Sequence, residues 1–151
     1  MTIRFLRADD EAEWVRLRLA LWPDADEDEL REEIAAHLPD GDRRLCTLVV
    51  ERPGGMLGGL MELSLRPYAE GCLSSPVARV ENWYVDEDLR RQGCATQLLA
   101  AAADWARHRG CAEIASNCVV ENGIAQTVHE ALDFEEVDRL VHYVFELPAE
   151  G

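Results

Sequence analysis

The chain has 151 residues, with 30 acidic side chains against 15 basic ones and a net charge of −15 at neutral pH. That balance argues against nucleic acid and anionic membrane as partners, because both attract a basic surface. No apolar run approaches the roughly 20 residues of a membrane span. All 15 basic residues are arginine, which removes a lysine phosphate loop, a Schiff-base lysine and a Ser–Lys dyad. The five cysteines include no CxxC pair, and the N-terminus carries charges where a signal peptide has its apolar core. They therefore read as reduced thiols in a cytoplasmic protein.

In chain order, "TIRFLR" predicts a first strand. Asp10 and Glu13 read as a capping pair for a helix through "EAEWVRLRLALW", in which Trp14, Leu17 and Leu21 share a face. Pro23-Asp24 breaks it, and "DEDELREEIAAHL" predicts a second, very acidic helix with Leu30, Ile34 and Leu38 turned inward. "CTLVVE" and "MLGGLMELSL" flank an "RPGG" turn over Arg52 to Gly55, the pattern of a hairpin. "VARVENWYV" is a further strand, followed by an alanine-rich helix, a strand at "CAEIAS" and a helix at "NGIAQTVHEAL". "FEEVDRL" and "VHYVFEL" predict two closing strands. With no repeat and no linker, the expectation is one mixed α/β domain over residues 1–151.

The segment "EDLRRQGCATQLLAAAADWARHRG" carries the first chemical signal. A helix N-terminus offers unpaired amides and a partial positive charge, so it binds phosphate readily. Gly93 lets the backbone bend and approach a ligand. Cys94 and Ala95 are too small to shield the amides, and Arg90 and Arg91 can add charge-assisted bonds. A dinucleotide fold would want GxGxxG here, and only one glycine is present. An ordinary strand-to-helix turn with surface arginines fits this segment alone equally well.

Arg-x-x-Gly-x-Ala after a strand ending "WYV" resembles the coenzyme A pyrophosphate loop of the GCN5-related N-acetyltransferases. "Asn122-x-x-Ala125-x-x-x-His129-x-x-x-x-Phe134" resembles that superfamily's second cofactor element. The stretches "LRLALWPD", "RPYAEGCLSSPVARVENWYV" and "ENGIAQTVHEALDFEEVDRLVHY" are similar to the bacterial aminoglycoside 6′-N-acetyltransferases over nearly the whole chain. The resemblance implies the single-domain fold of that superfamily, with a central mixed sheet and about four flanking helices. It also implies acetyl-CoA as cosubstrate, a cationic aminoglycoside as acceptor, and a homodimer. Trp83, Tyr84 and Val85 would run beside the pantetheine arm, and Arg90, Arg91, Gln92, Gly93, Cys94, Ala95 and Thr96 would hold the pyrophosphate. Asn122 would contact the cofactor. Trp22, Tyr68, Glu81, Asn117 and Asp138 fall where the family contacts the aminoglycoside, and His129 takes the superfamily's tyrosine position. Four positions depart from the pattern: Asn117 stands for aspartate, Asn82 for glycine, Asp138 for glutamate and Asp133 for glycine.

Acetyl transfer to an aliphatic amine needs a deprotonated nucleophile, because such an ammonium has a pKa of about 10. Glu81, on the strand leading into the loop, is the first candidate base, and Asp138 the second. His129 is a candidate acid for the leaving thiolate. Trp22 and Tyr68 offer flat faces to a sugar or a cation. Each has a plainer reading, as a strand carboxylate, a core histidine or a helix-end tryptophan. His37, His108, His129 and His142 lack zinc-site spacing, so no metal is expected. Two classes of function stay open: an acetyltransferase for an aminoglycoside or another amine, and a protein that binds coenzyme A or a drug without turnover.

Overall fold

The computed structural model describes residues 1–37 and 43–150. These gather into two compact units, Met1–Asn117 and Cys118–Gly151. The first unit is built on a five-stranded sheet: β1 (Thr2–Phe5), β2 (Leu45–Glu51), β3 (Leu57–Arg66), β4 (Val77–Val85) and β5 (Ile114–Ala115), hydrogen-bonded in that order. β1 to β4 form an antiparallel meander, and β5 joins β4 in parallel. The β2–β3 hairpin closes where the sequence places it. Arg52 N donates to Met56 O at 2.7 Å and Gly55 N to Arg52 O at 3.0 Å.

Alternation along the strands splits the core between two faces. Val49, Leu57 and Leu60 pack under α1 (Glu11–Leu21) and α2 (Glu27–His37), against Trp14, Val15, Leu17, Leu30 and Ile34. Leu48, Val50, Met61, Leu63, Ala78 and Val80 face α3 (Cys94–His108), where Leu98, Ala102, Trp105 and Ala106 cover them. The inward face expected for α1 is present, with Leu21 only half-buried, while Leu38 lies outside the described residues. Asp26 starts α2 by accepting from Glu29 N at 3.0 Å.

The expected capping of α1 by Asp10 and Glu13 is overturned. Asp10 instead accepts from Arg7 N at 2.7 Å and is clamped by both terminal nitrogens of Arg4, at 2.7 and 2.9 Å. Glu13 accepts from Leu57 N at 2.9 Å and from Arg16 at 2.8 Å. An arginine makes the stronger, charge-assisted bond, so Arg4 and Arg16 capture these two carboxylates from the helix end.

In the second unit α4 (Gly123–Ala131) begins at Asn122, whose Oδ1 accepts from Ala125 N at 3.0 Å. It ends in a Schellman arrangement: Phe134 N donates to His129 O at 2.9 Å and Asp133 N to Glu130 O at 3.1 Å. Asp133 holds the left-handed conformation there, with φ 66°. The strands expected at 134–140 and 141–147 are not formed, and "CAEIAS" yields only the two residues of β5. Strand-like alternation becomes a strand only where a ladder partner exists, and residues 134–147 have none among the described residues.

Candidate active site

The site grows from an irregularity in β4. Glu62 of β3 pairs with Asn82 and Leu63 with Val80, so Glu81 is one residue too many on β4, a β-bulge. Val80 therefore faces α3, and Trp83 and Val85 face α3 again beyond it. The β4–β5 ladder covers only Ala78↔Ile114 and Arg79↔Ala115 and ends just before the bulge. β4 thus continues to Val85 without β5 beside it.

Gly59 permits the close approach of β3 to this part of β4. A Cβ there would lie 2.8 Å from Tyr84 O and 3.2 Å from the Cα of Val85. Asp86 N then donates to Gly58 O at 2.8 Å, and Arg16 and Arg52 hold the Asp86 carboxylate at 3.1 and 3.0 Å. Burial pushes this carboxyl up, but the two arginines outweigh it and hold it below the usual aspartate range.

The loop that follows turns through two left-handed residues, Arg91 at φ 63° and Gly93 at φ 83°. A non-glycine in this region is strained unless its surroundings hold it. Gln92 ties the turn down by donating from Nε2 to Asp88 O at 2.9 Å. Arg90 donates from Nε to Val85 O at 3.0 Å and lies 5.7 Å from the Tyr84 ring centroid. The first helical bond of α3 runs from Gln97 N to Gly93 O at 3.0 Å, and no side chain caps the helix. The amides of Cys94, Ala95 and Thr96 therefore have no acceptor within the helix. The side chain of Cys94, the first residue of α3, is buried in the core, so it does not cover the backbone at the helix start.

On the opposite face of the sheet lies a polar cluster. Glu81 accepts from Ser64 Oγ and, at 2.7 Å, from Arg66, with Arg79 at 3.8 Å. Burial raises the Glu81 pKa, but the Ser64 and Arg66 bonds win and lower it below the ordinary glutamate value. It is ionised at neutral pH. Glu62, buried in the central strand, is gripped by Nε and Nη2 of Arg18. Trp22, the residue after α1, donates from Nε1 to Asn82 Oδ1 at 2.9 Å. A cleft of about 220 Å³ opens beside it, lined by Arg18, Trp22, Asp26, Glu29, Leu30 and Glu33 among others.

Of the residues singled out in the sequence, Glu81, Trp22 and the 83–96 segment thus belong to one unit and one end of β4. Tyr68 is exposed on the β3–β4 connection, and Asn117 is exposed beyond β5. Asn122, His129 and Asp138 belong to the second unit. His129 Nδ1 lies 2.6 Å from Ala125 O, and a carbonyl only accepts, so Nδ1 carries a proton and Nε2 holds the lone pair of the neutral ring. Its ring meets Phe134 edge-on at 5.1 Å. Asp138 is exposed and accepts from Arg139 N at 2.8 Å. The sequence reading passed over Arg18, Glu62, Ser64 and Arg66. One signal was available: a lone glutamate inside the apolar run "LGGLMELSL" must find a cation if that strand is buried. No group of metal-ligating side chains occurs among the described residues.

Residues 6–134 match the model of the acetyltransferase (GNAT) family. The chain is 42% identical to an aminoglycoside N(6′)-acetyltransferase type 1 of Klebsiella aerogenes, covering 89% of this chain and 90% of that protein. It is 39% identical to the protein of the same name from Stenotrophomonas maltophilia, covering 99% and 94%. Among solved structures, AAC(6′)-Iy in complex with the bisubstrate analogue CoA-S-monomethyl-acetylneamine superposes with a TM-score of 0.87 at 34% identity, over 97% of this chain and 98% of that one. The apo aminoglycoside 6′-N-acetyltransferase of Acinetobacter haemolyticus gives 0.89 at 28% identity, over 98% and 100%.

Proposed function

The chain belongs to the acetyltransferase (GNAT) family, and we propose that it transfers the acetyl group of acetyl-CoA to the 6′-amine of an aminoglycoside. The observation that carries this reading is the end of β4. There the strand leaves its parallel neighbour after Arg79 and feeds a helix whose first amides have no internal acceptor. Such an edge can take an extended amide-bearing chain, and such a helix start can take a pyrophosphate. Similarity to relatives whose names specify the 6′ position supports the acceptor.

Acetyl-CoA would supply an activated thioester carbonyl. The amides of Cys94 to Thr96 would hold its pyrophosphate, with Gly93 setting their direction and exposed Arg91 adding charge. Arg90 is already committed to Val85 O and Tyr84, so its part is to brace the loop. The backbone of Trp83 to Val85 lines the path of the pantetheine arm and places donors near the thioester oxygen.

On the acceptor side, Glu81 is ionised and attracts the ammonium. A carboxylate with a lowered pKa is a weak base, so proton removal runs through a water that Glu81 orients. Trp22 and Tyr68 supply flat apolar faces, and the neutral Asn117 contacts a sugar hydroxyl or amine. By the same family resemblance Asn122 contacts the cofactor with its amide NH2, its Oδ1 being spent on the α4 cap. Asp138 adds a second anionic contact. His129 serves the leaving thiolate, for which its Nε2 must carry a proton in addition to that on Nδ1. We assign the reaction to a cytoplasmic homodimer, in which the exposed apolar side chains at Val137, Leu140, Val141, Tyr143 and Phe145 become covered.

The test is release of free coenzyme A, followed with a thiol reagent. Acceptors would be an aminoglycoside with a 6′-amine, a relative with a 6′-hydroxyl, and spermidine. Turnover with the 6′-amine alone establishes acceptor and regiochemistry together. Turnover with spermidine alone keeps the enzyme and removes the aminoglycoside. Binding of acetyl-CoA without any turnover moves the protein to the non-catalytic class.

A further inference from the structure

We propose that Asn82 is a positioning residue that locks the Trp22 indole as a wall of the acceptor site and thereby sets affinity for a ring-bearing cation. The acceptor's identity rests on the function proposed above; the lock does not.

Trp22 sits where α1 has ended and is 55% exposed as a residue. An indole in that place has several open rotamers, and its N–H ordinarily pairs with water. Here the N–H instead donates to Asn82 Oδ1 at 2.9 Å, bridging α1 to the bulged strand sixty positions on. The other end of the Asn82 amide, Nδ2, points to Glu62 Oε2 at 3.4 Å. Glu62 is buried and held by Arg18, at 3.0 Å from Nε and 2.7 Å from Nη2 to Oε1. Arg18 and Trp22 both lie on α1 or its end, and Arg18 O accepts Trp22 N at 2.8 Å. The series Trp22–Asn82–Glu62–Arg18 therefore closes on itself.

The amide orientation follows from chemistry alone. The indole can only donate and the carboxylate can only accept, so the carbonyl end must face Trp22 and the NH2 end Glu62. A buried ion pair thus dictates the plane of the Asn82 amide, and the amide dictates the ring. The cleft that Trp22 lines with Asp26, Glu29 and Glu33, and with Arg18, whose charge is taken up by Glu62, opens against that ring. A flat face beside three carboxylates suits a cation carried on a ring, and fixing the face before binding removes the cost of immobilising it during binding. Glycine at this position would supply neither bond.

The experiment compares Asn82→Ala, Trp22→Phe and the double variant. Trp22→Phe keeps an aromatic ring but loses the five-membered ring that carries the N–H, so the two single changes cut the same bond. Steady-state constants for a 6′-amine aminoglycoside and for acetyl-CoA are measured by coenzyme A release. Acrylamide quenching of Trp22 emission is taken as the difference from the Trp22→Phe protein, and coupling is taken from urea midpoints. Each single change is expected to raise the acceptor KM about 3- to 10-fold, with kcat and the acetyl-CoA KM within about 2-fold. The double variant should be no worse than either single one, and Trp22 should become more readily quenched in Asn82→Ala. Fully additive effects, unchanged quenching, or a loss confined to the acetyl-CoA KM would overturn the proposal. If the unaltered protein acetylates no aminoglycoside, the proposed function fails, while quenching and urea coupling still decide the Asn82 lock.

Discussion

Replacing Gly93 by alanine separates conformational strain from steric clash in the phosphate-binding loop. A Cβ at Gly93 would meet nothing within 4 Å, yet the residue sits at φ +83°. The whole cost is then that of placing an L side chain in the left-handed region, about 1–2 kcal/mol. That cost has two places to appear. If the loop keeps its shape, folding stability falls, and for a domain of this size 1 kcal/mol corresponds to roughly 2–4 °C in Tm. If the loop relaxes instead, Gly93 O turns away from Gln97 N and the amides of Cys94 to Thr96 lose their common direction. Affinity for coenzyme A then drops by about 5- to 30-fold. Calorimetric binding and thermal unfolding on the same sample read both, and the two losses together should amount to about 1–2 kcal/mol. Gly93→Asn should recover part of the loss, since asparagine tolerates this conformation better. Gly123→Ala is the control: it too meets nothing within 4 Å but has no positive φ, so it should be neutral or slightly stabilising. An alanine at Gly93 that changes neither Tm nor affinity would refute the reasoning.

Gly59→Ala should act through contact rather than strain. Its Cβ would lie 2.8 Å from Tyr84 O, and a urea titration should show about 1–3 kcal/mol lost. Arg18→Leu leaves the buried Glu62 carboxylate without its cation and should cost about 3 kcal/mol. Glu33→Gln touches the same arginine at 3.5 Å from an exposed position and should stay within about 0.5 kcal/mol. Glu81→Gln should lower kcat/KM for the amine by about 10²-fold, with acetyl-CoA affinity unchanged by calorimetry. For pH, the Arg4 guanidinium holds the Asp10 carboxyl below its ordinary 3.8. A depressed carboxylate stabilises the fold above the unfolded pKa and loses that contribution as pH falls through the folded value. Urea midpoints should therefore hold steady from neutral pH to about 5, fall below about 4, and converge with those of Asp10→Asn in acid.

Features governed by neighbours in the chain were legible without coordinates. The "RPGG" hairpin, the full span of β4, the inward face of α1, that of α2 at Leu30 and Ile34, and the start of α3 after Gly93 all follow from local pattern. The left-handed glycine and the uncapped amides behind it are likewise a property of "RRQGCAT", because φ preference and helix-end chemistry act over a few residues.

What needed the tertiary structure was the choice among partners. Asp10 and Glu13 had the right spacing for a cap, yet Arg4 on β1 and the Leu57 amide, 44 residues from Glu13, offered better bonds. Alternation at 134–147 marked strand propensity, but a ladder requires a second backbone. The bulge at Glu81 depends on two strands disagreeing in length by one residue, which neither strand records alone. The Trp22–Asn82–Glu62–Arg18 series joins three elements whose residues carry no mark of one another in the chain. Sequence determined which groups could bind phosphate and where the backbone would turn, because those are short-range energies. Only the packed sheet decided which carboxylate meets which arginine and which way the acceptor wall faces, because burial makes each polar group take its best partner from across the fold.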